Sequence, residues 1–327
     1  MKNVLVYAEH RQGATRKVTF ELATQARTLA DSLGGKACAV VVGSGAGAIA
    51  QQLAPYPLDA IYCNEDSQVD AFLLDPVADY LEAAASLVGA SLILIPNTLS
   101  GRDIAGRLMV KLRAGIVADV VDFEIAGESV VCVSPKLGGA ITTRCALRPG
   151  EFGIATVRPN AFQAAASGGT AKIEQLPTAR RSYAAAIDND VEEGTGELAL
   201  EEAPVVVAGG RGLGGPEPFE TLLKPLARAL GGAVGASRAA ADAGWVPYSL
   251  QIGQTGKTVT PNLYIAVGIS GAIQHKVGMR SSGAIVAINK DGAAPIGEFS
   301  DLLVVGDAFR IVPELTNLIE KAKGNAT

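Results

Sequence analysis

Hydroxyl, guanidinium and imidazole side chains crowd into one glycine-rich stretch, residues 235 to 275, GASRAAADAGWVPYSLQIGQTGKTVTPNLYIAVGISGAIQH. Ser237, Thr255 and Ser270 carry hydroxyls able to bond phosphate or ring heteroatoms. The glycines and alanines between them let backbone amides approach a ligand closely. Arg238 and His275 bracket the stretch with two positive donors, which favour an anion or an electron-rich ring held beside them. The composition is that of a cofactor pocket, and no nucleophile paired with a base stands out in the chain.

A second glycine-rich element precedes this stretch. Gly210-Arg211-Gly212-Leu213-Gly214-Gly215 follows an apolar run at Pro204 to Ala208 and comes before a helical pattern at about 216 to 230. Strand, G-x-G-x-x-G and helix in that order form a dinucleotide fingerprint. An NAD site asks for an acidic residue about 20 positions further on to hold the ribose hydroxyls. Here the second strand, near 232 to 236, runs into Ser237-Arg238 instead, which suits a 2'-phosphate. An NADP-dependent oxidoreductase is therefore one reading. Two more turns rich in Gly, Ser and Thr, at 251 to 257 and 268 to 275, exceed what a nicotinamide site requires. They suit a longer cofactor with a pyrophosphate, a polyol chain and a ring of several heteroatoms.

The elements that must position these residues follow from periodicity. Val4 to Tyr7, Ala37 to Val42, Ala60 to Cys63 and Ser91 to Ile95 are short apolar runs alternating with segments of helical period, the pattern of a parallel sheet. One helix spans about 17 to 33 and stops at Gly34-Gly35; another starts at Asp75-Pro76 and is closed by Gly89. Strand-like runs at about 117 to 124, 129 to 134, 140 to 147 and 153 to 157 are expected to extend or flank the sheet. At PNTLSGRD, 96 to 103, a strand gives way to a helix, where either an anion site or an N-cap by Ser100 and Asp103 is expected. His10 stands alone and reads as a surface histidine.

A chain of 327 residues is long for one core and is expected to form two domains, 1–190 and 204–327, joined by a charged linker at 191–203. Both are α/β, each a mostly parallel sheet flanked by helices. With 48% hydrophobic and 19% charged residues the chain can build real cores and is not a disordered one. A net charge of −5 with interspersed signs argues against nucleic-acid or membrane-surface binding. No stretch is apolar enough for a membrane span. MKNVLVYA lacks the layout of a signal or transit peptide, so a cytoplasmic, bacterial home is expected. Cys38, Cys63, Cys132 and Cys145 show no metal or redox spacing and are expected to be reduced core thiols.

Residues 206 to 320 resemble the C-terminal FAD domain of the electron transfer flavoprotein alpha subunit family. SRAAADAGWVPYSLQIGQTGKTVTPNLYIAVGISGAIQHKVGMRSS carries the resemblance, and VLVYAEH and NTLSGRD extend it to most of the chain, least so from about 120 to 200. The resemblance implies a Rossmann-like domain holding one FAD at Arg211, Ser237, Arg238, Ile252, Gly253, Gln254, Thr255, Ser270, Gly271, Ala272, Ile273, Gln274, His275, Asn289, Asp307 and Ala308. Within that set, the amides of Ser270, Gly271 and Ala272 suit the pyrophosphate. Asn289 and Asp307 follow the strands AIVAIN and LLVVG and suit adenosine or ribose. Arg238, Thr255 and His275 are assigned to the flavin: His275 as a donor at the N1 and C2-carbonyl edge, Thr255 at N5, and Arg238 as the charge that raises the potential. The resemblance further implies an electron carrier rather than an enzyme. It would pair with a beta subunit that holds AMP, take electrons from acyl-CoA dehydrogenases and other flavin dehydrogenases of fatty acid β-oxidation, and pass them to the electron transfer flavoprotein-quinone oxidoreductase. A bifurcating relative, with a second FAD in the beta subunit, is a variant of the same reading.

Overall fold

The computed structural model describes residues 2–11, 13–70, 74–127, 129–137, 141–148, 150–179, 186 and 199–324. The chain divides into two compact units, Met1–Val191 and Glu192–Thr327. Of the expected linker, 191–198 lie outside the described residues. Residues 199–203 belong to the second unit: Leu200 and Ala203 are buried in its core, and Glu201 pairs with Lys257 at 3.1 Å.

The first unit runs β1 (Asn3–Tyr7), a small hairpin of β2 (His10–Arg11) and β3 (Ala14–Thr15), α1 (Lys17–Leu33), β4 (Ala37–Val42), α2 (Ala46–Leu53), β5 (Ala60–Asn64), α3 (Asp75–Val88), β6 (Ala90–Pro96) and α4 (Leu99–Leu112). There follow β7 (Gly115–Val120), β8 (Asp122–Ala126), β9 (Ser129–Lys136), β10 (Ile141–Ala146), β11 (Gly153–Val157) and β12 (Lys172–Gln175). Seven strands form one parallel sheet in the order β12-β5-β4-β1-β6-β11-β7. Its central strands are covered on both faces, which is why they read as unbroken apolar runs: all six residues of β4 are buried. Gly34 and Gly89 end α1 and α3 in the left-handed region, at φ 67° and 61°, each amide closing on carbonyls of the last turn.

Sequence and structure differ here at several places. Of the strand-like runs between 117 and 157, β7 and β11 extend the parallel sheet, and β8, β9 and β10 form a separate antiparallel ladder. Such a ladder can leave one face to solvent, and β8 and β10 are largely exposed. Thr98, not Ser100 or Asp103, caps α4, its hydroxyl accepting from the Gly101 amide at 2.9 Å. The same hydroxyl donates to the Glu9 carboxylate at 2.8 Å. The Glu9 carboxyl group thus lies beside the helix start. His10 is half-buried with Nε2 2.8 Å from the Val42 carbonyl, and Cys145 is exposed while the other three thiols are buried.

The second unit contains β13 (Val205–Gly209), α5 (Lys224–Leu230), β14 (Ala233–Ser237), α6 (Arg238–Asp242), β15 (Gln251–Ile252), β16 (Leu263–Val267), α7 (Ile273–Met279), β17 (Ala284–Asn289), β18 (Leu302–Val305) and α8 (Ala308–Gly324). Its six strands are parallel in the order β15-β14-β13-β16-β17-β18. Counted from β13, this is the 3-2-1-4-5-6 order of dinucleotide-binding sheets. The helix expected at about 216 to 230 includes a π-helical turn, Phe219–Leu223, before α5. Two apolar clusters pack the faces of this sheet, one including Tyr264, Ile252 and Ile296 and the other Val207, Phe219 and Leu226.

Candidate functional site

The chain leaves β13 toward β14 on one side and later returns to β16 on the other, so the loops after these two strands diverge. A crevice opens at such a reversal, at the carboxyl ends of the strands. A cleft of about 690 Å³ lies there, within the range of roughly 300–1,000 Å³ usual for cofactor sites. Arg211 and Gly212 line it after β13, and Ser237, Arg238 and Asp242 after β14. Gln251, Ile252, Gly253, Gln254 and Thr255 come from β15 and its loop. Gly268, Ile269, Ser270, Ala272, Gln274 and His275 follow β16, and Asn289, Asp291, Ala294 and Pro295 follow β17.

Twelve of the sixteen residues singled out from the sequence are thus brought to one cleft, and four are not among its lining. Gly271 sits at φ 87°, and a Cβ there would lie 2.3 Å from the Ile296 amide nitrogen, so it packs two loops together. Ile273 points to solvent at 75% exposure. Asp307 accepts from the Phe309 amide at the start of α8 and lies 3.5 Å from Lys290 Nζ, while Ala308 is buried in the core. Besides the glycine-rich stretches singled out from the sequence, the cleft is lined by Asp291, Ala294 and Pro295. Placing every loop that leaves a carboxyl strand end would have found them.

The glycine-rich fingerprint has a different job from the one its spacing suggests. A Cβ on Gly210 would lie 2.2 Å from the Gly268 carbonyl oxygen, and one on Gly212 would lie 2.8 Å from the same atom. The Gly212 amide donates to that oxygen at 3.0 Å, and Gly268 itself is at φ 61°. These glycines let the loops after β13 and β16 touch backbone to backbone. Gly215, the third of the fingerprint, meets nothing within 4 Å and precedes the helix rather than packing in it.

Charge in the cleft comes from Arg211 and Arg238 against Asp242 and Asp291. Arg238 Nε is 3.2 Å from Asp242 Oδ2 within one helical turn, and its side chain is 60% exposed. Arg211 has no ion pair among the described residues, so its guanidinium is open to an anionic ligand. Thr255 Oγ1 accepts from Gln251 Nε2 at 3.0 Å, which leaves its own hydrogen free to donate. Both ends of the Asn289 amide serve the protein, Nδ2 donating to the Ile269 carbonyl at 2.9 Å and Oδ1 accepting from the Asp291 amide at 3.0 Å.

His275 is a buried residue of the cleft wall. Its Nδ1 lies 3.1 Å from the Ile252 carbonyl oxygen and its Nε2 2.9 Å from the Tyr264 hydroxyl, so both ring nitrogens are occupied within the protein. Burial pushes its pKa down to about 4, only partly opposed by the bond to the Ile252 carbonyl. Burial thus favours the neutral ring near pH 7. Among the described residues no group of His, Cys, Asp or Glu is placed to hold a metal ion, and no helix is long and apolar enough to cross a membrane.

A Rossmann-ordered sheet with a cleft at its reversal, walled by backbone turns, hydroxyls and two arginines, defines a nucleotide-cofactor domain. Comparison with known proteins agrees and goes further. Residues 199–280 match the family model described as electron transfer flavoprotein FAD-binding domain, and residues 4–180 the model described as electron transfer flavoprotein domain. The chain is 43% identical to the electron transfer flavoprotein subunit alpha of Mycobacterium tuberculosis (strain ATCC 25618 / H37Rv), over 99% of this chain and 100% of that protein. It is 38% identical to the subunit of the same name from Bacillus subtilis (strain 168), covering 96% of each, and 36% identical to protein FixB of Clostridium saccharobutylicum, covering 96% of this chain and 95% of that one. The chain belongs to the electron transfer flavoprotein alpha subunit family.

Proposed function

We propose that the cleft of the second unit holds one FAD and that the chain is an electron carrier without a substrate of its own. The observation that carries this is the convergence of Ser237, Arg238, Thr255, Ser270 and Arg211 on one cleft in a family whose second domain is described as FAD-binding. Bound FAD would supply the redox chemistry, taking up electrons and passing them on. The protein's part is to bind, orient and charge the site. Arg211 and the turn Ser270–Ala272 suit the pyrophosphate, Ala272 preceding α7 without a side-chain cap. Asn289, Asp307 and Ala308 belong to the adenosine side of the reading, with Asn289 bracing the Ile269 loop. Gly271 and Ile273 contribute turn geometry. With FAD bound, Thr255 would donate toward the flavin N5 and Arg238 would supply the fixed positive charge beside the ring.

The partner is the family's beta subunit, with AMP held there and not in this chain. Electrons come from acyl-CoA dehydrogenases and other flavin dehydrogenases and go to a membrane quinone oxidoreductase, the carrier itself working in the bacterial cytoplasm. Absorption spectroscopy of the chain purified with its beta partner, with the released cofactor identified, tests the reading. FAD near one per heterodimer supports it. A colourless protein that saturates with NADP refutes it. Two FAD per heterodimer would point to the bifurcating variant.

A further inference from the structure

Asp242, the last residue of α6, is one of two carboxylates in the cleft lining, the other being Asp291. It stands four positions after Arg238, one helical turn away and on the same face of α6. Both of its oxygens have partners. Oδ2 lies 3.2 Å from Arg238 Nε, and Oδ1 accepts from the Tyr248 hydroxyl at 3.3 Å. The carboxylate is thus held from two sides at the wall of the cleft.

Arg238 meets Asp242 through Nε alone. A guanidinium carries five N–H donors in one plane, so a partner at Nε leaves the terminal Nη edge for a ligand. The charge is not left whole in the same way. Seen from a ring bound in the cleft, Arg238 and Asp242 together form a dipole, whose field is weaker than that of an isolated cation. Each electron that a cofactor takes up adds negative charge, which a cation favours and a carboxylate opposes.

We propose that Asp242 is the counter-charge to Arg238 in this cleft and holds the cofactor's reduction potential below the value that Arg238 alone would give. This rests on the flavin reading above. Arg238 raises the potential, Asp242 lowers it, and the pair sets the value between them.

The test uses the full chain purified with its beta partner, with the midpoint read by spectroelectrochemistry. Asp242→Asn keeps the size of the side chain and an acceptor for Arg238 Nε while removing the charge. At a fixed potential the ratio of reduced to oxidised flavin is expected to rise about two- to fivefold, as suits a charge in a half-exposed pair. That is roughly 20–40 mV for a one-electron step. Asp242→Glu, which returns the charge, should bring the midpoint most of the way back. The gap between Asp242→Asn and the unmodified chain should narrow at about 1 M salt, which screens exposed charges beyond about 3 Å. A midpoint that stays put or falls in Asp242→Asn, or that Asp242→Glu does not restore, overturns the proposal; a fall would mean that the carboxylate serves only to hold Arg238 in place. FAD present with an unmoved midpoint sinks this inference alone, whereas an unmodified complex without FAD sinks the flavin reading and this inference with it.

Discussion

Acid will weaken the second unit through His275, by an amount the structure sets. Burial holds the folded-state pKa near 4, whereas the same ring in the unfolded chain titrates near the ordinary 6.5. Below pH 6.5 the unfolded chain binds more protons than the folded one, so stability falls as pH falls. The contribution is fully present above about pH 6.5 and fully lost near pH 4. A gap of about 2.5 pH units at about 1.36 kcal/mol each limits the loss to about 3 kcal/mol, of which about 2 kcal/mol has accrued by pH 5. Denaturant unfolding at a series of pH values measures it. The chain has one tryptophan, Trp245, and it packs in the second unit, so its fluorescence reports on that unit. His275→Gln removes the titration, while all carboxylates remain common to both proteins and cancel in the difference. At pH 7 the variant should be less stable by roughly 1–3 kcal/mol, because buried partners lose their bonds. Between pH 7 and 5 that deficit should shrink by about 2 kcal/mol. Parallel pH profiles would show that the ring is not a buried neutral imidazole.

Other substitutions separate the roles of individual residues. Gly210→Ala drives a methyl into the Gly268 carbonyl and should cost about 1–3 kcal/mol and empty the cleft of cofactor, whereas Gly215→Ala should be neutral within about 0.5 kcal/mol. Equal effects in thermal melts would return the fingerprint to its dinucleotide reading. Arg238→Ala removes an exposed ion pair and should change stability by less than about 1 kcal/mol. On the flavin reading it lowers the one-electron potential by roughly 40 mV, the equivalent of about 1 kcal/mol, as spectroelectrochemistry would show. Of the four cysteines only Cys145 should react quickly with an aromatic disulfide reagent, since burial pushes the Cys132 thiol up to about 12 and the Cys38 thiol to about 11 and Cys63 is also buried. More than one fast thiol per folded chain would contradict this burial.

Much of the scaffold was legible because its signals are local. The two faces of β4 are both buried, so its apolar run needs no tertiary knowledge to be read as a central strand. Gly34 and Gly89 stop α1 and α3 by a property of their own backbones. Loops at carboxyl strand ends converge in any sheet wound this way, which is why Ser237, Thr255, Ser270 and Asn289 share a cleft despite spanning more than fifty positions. The family's sequence pattern names the same loops.

Chain order and residue type thus determined the two α/β units, the parallel sheets and the identity of the loops that meet at the cleft. What each side chain does there was decided by contacts distant in sequence. Gly210 and Gly212 face Gly268, some sixty positions away, and serve backbone packing. Glu9 answers Thr98 across two strands and places an internal carboxylate at the start of α4. Cys145 opposes Cys132 on the neighbouring strand, yet one is exposed and the other buried, because β10 is the outer strand of its ladder. His275 shows the limit most plainly. Its residue type allows it to donate, accept or carry charge, and only burial between Tyr264 and the Ile252 carbonyl selects the neutral ring. Protonation and hydrogen-bond direction depend on partners and solvent exclusion, which the folded chain alone brings together.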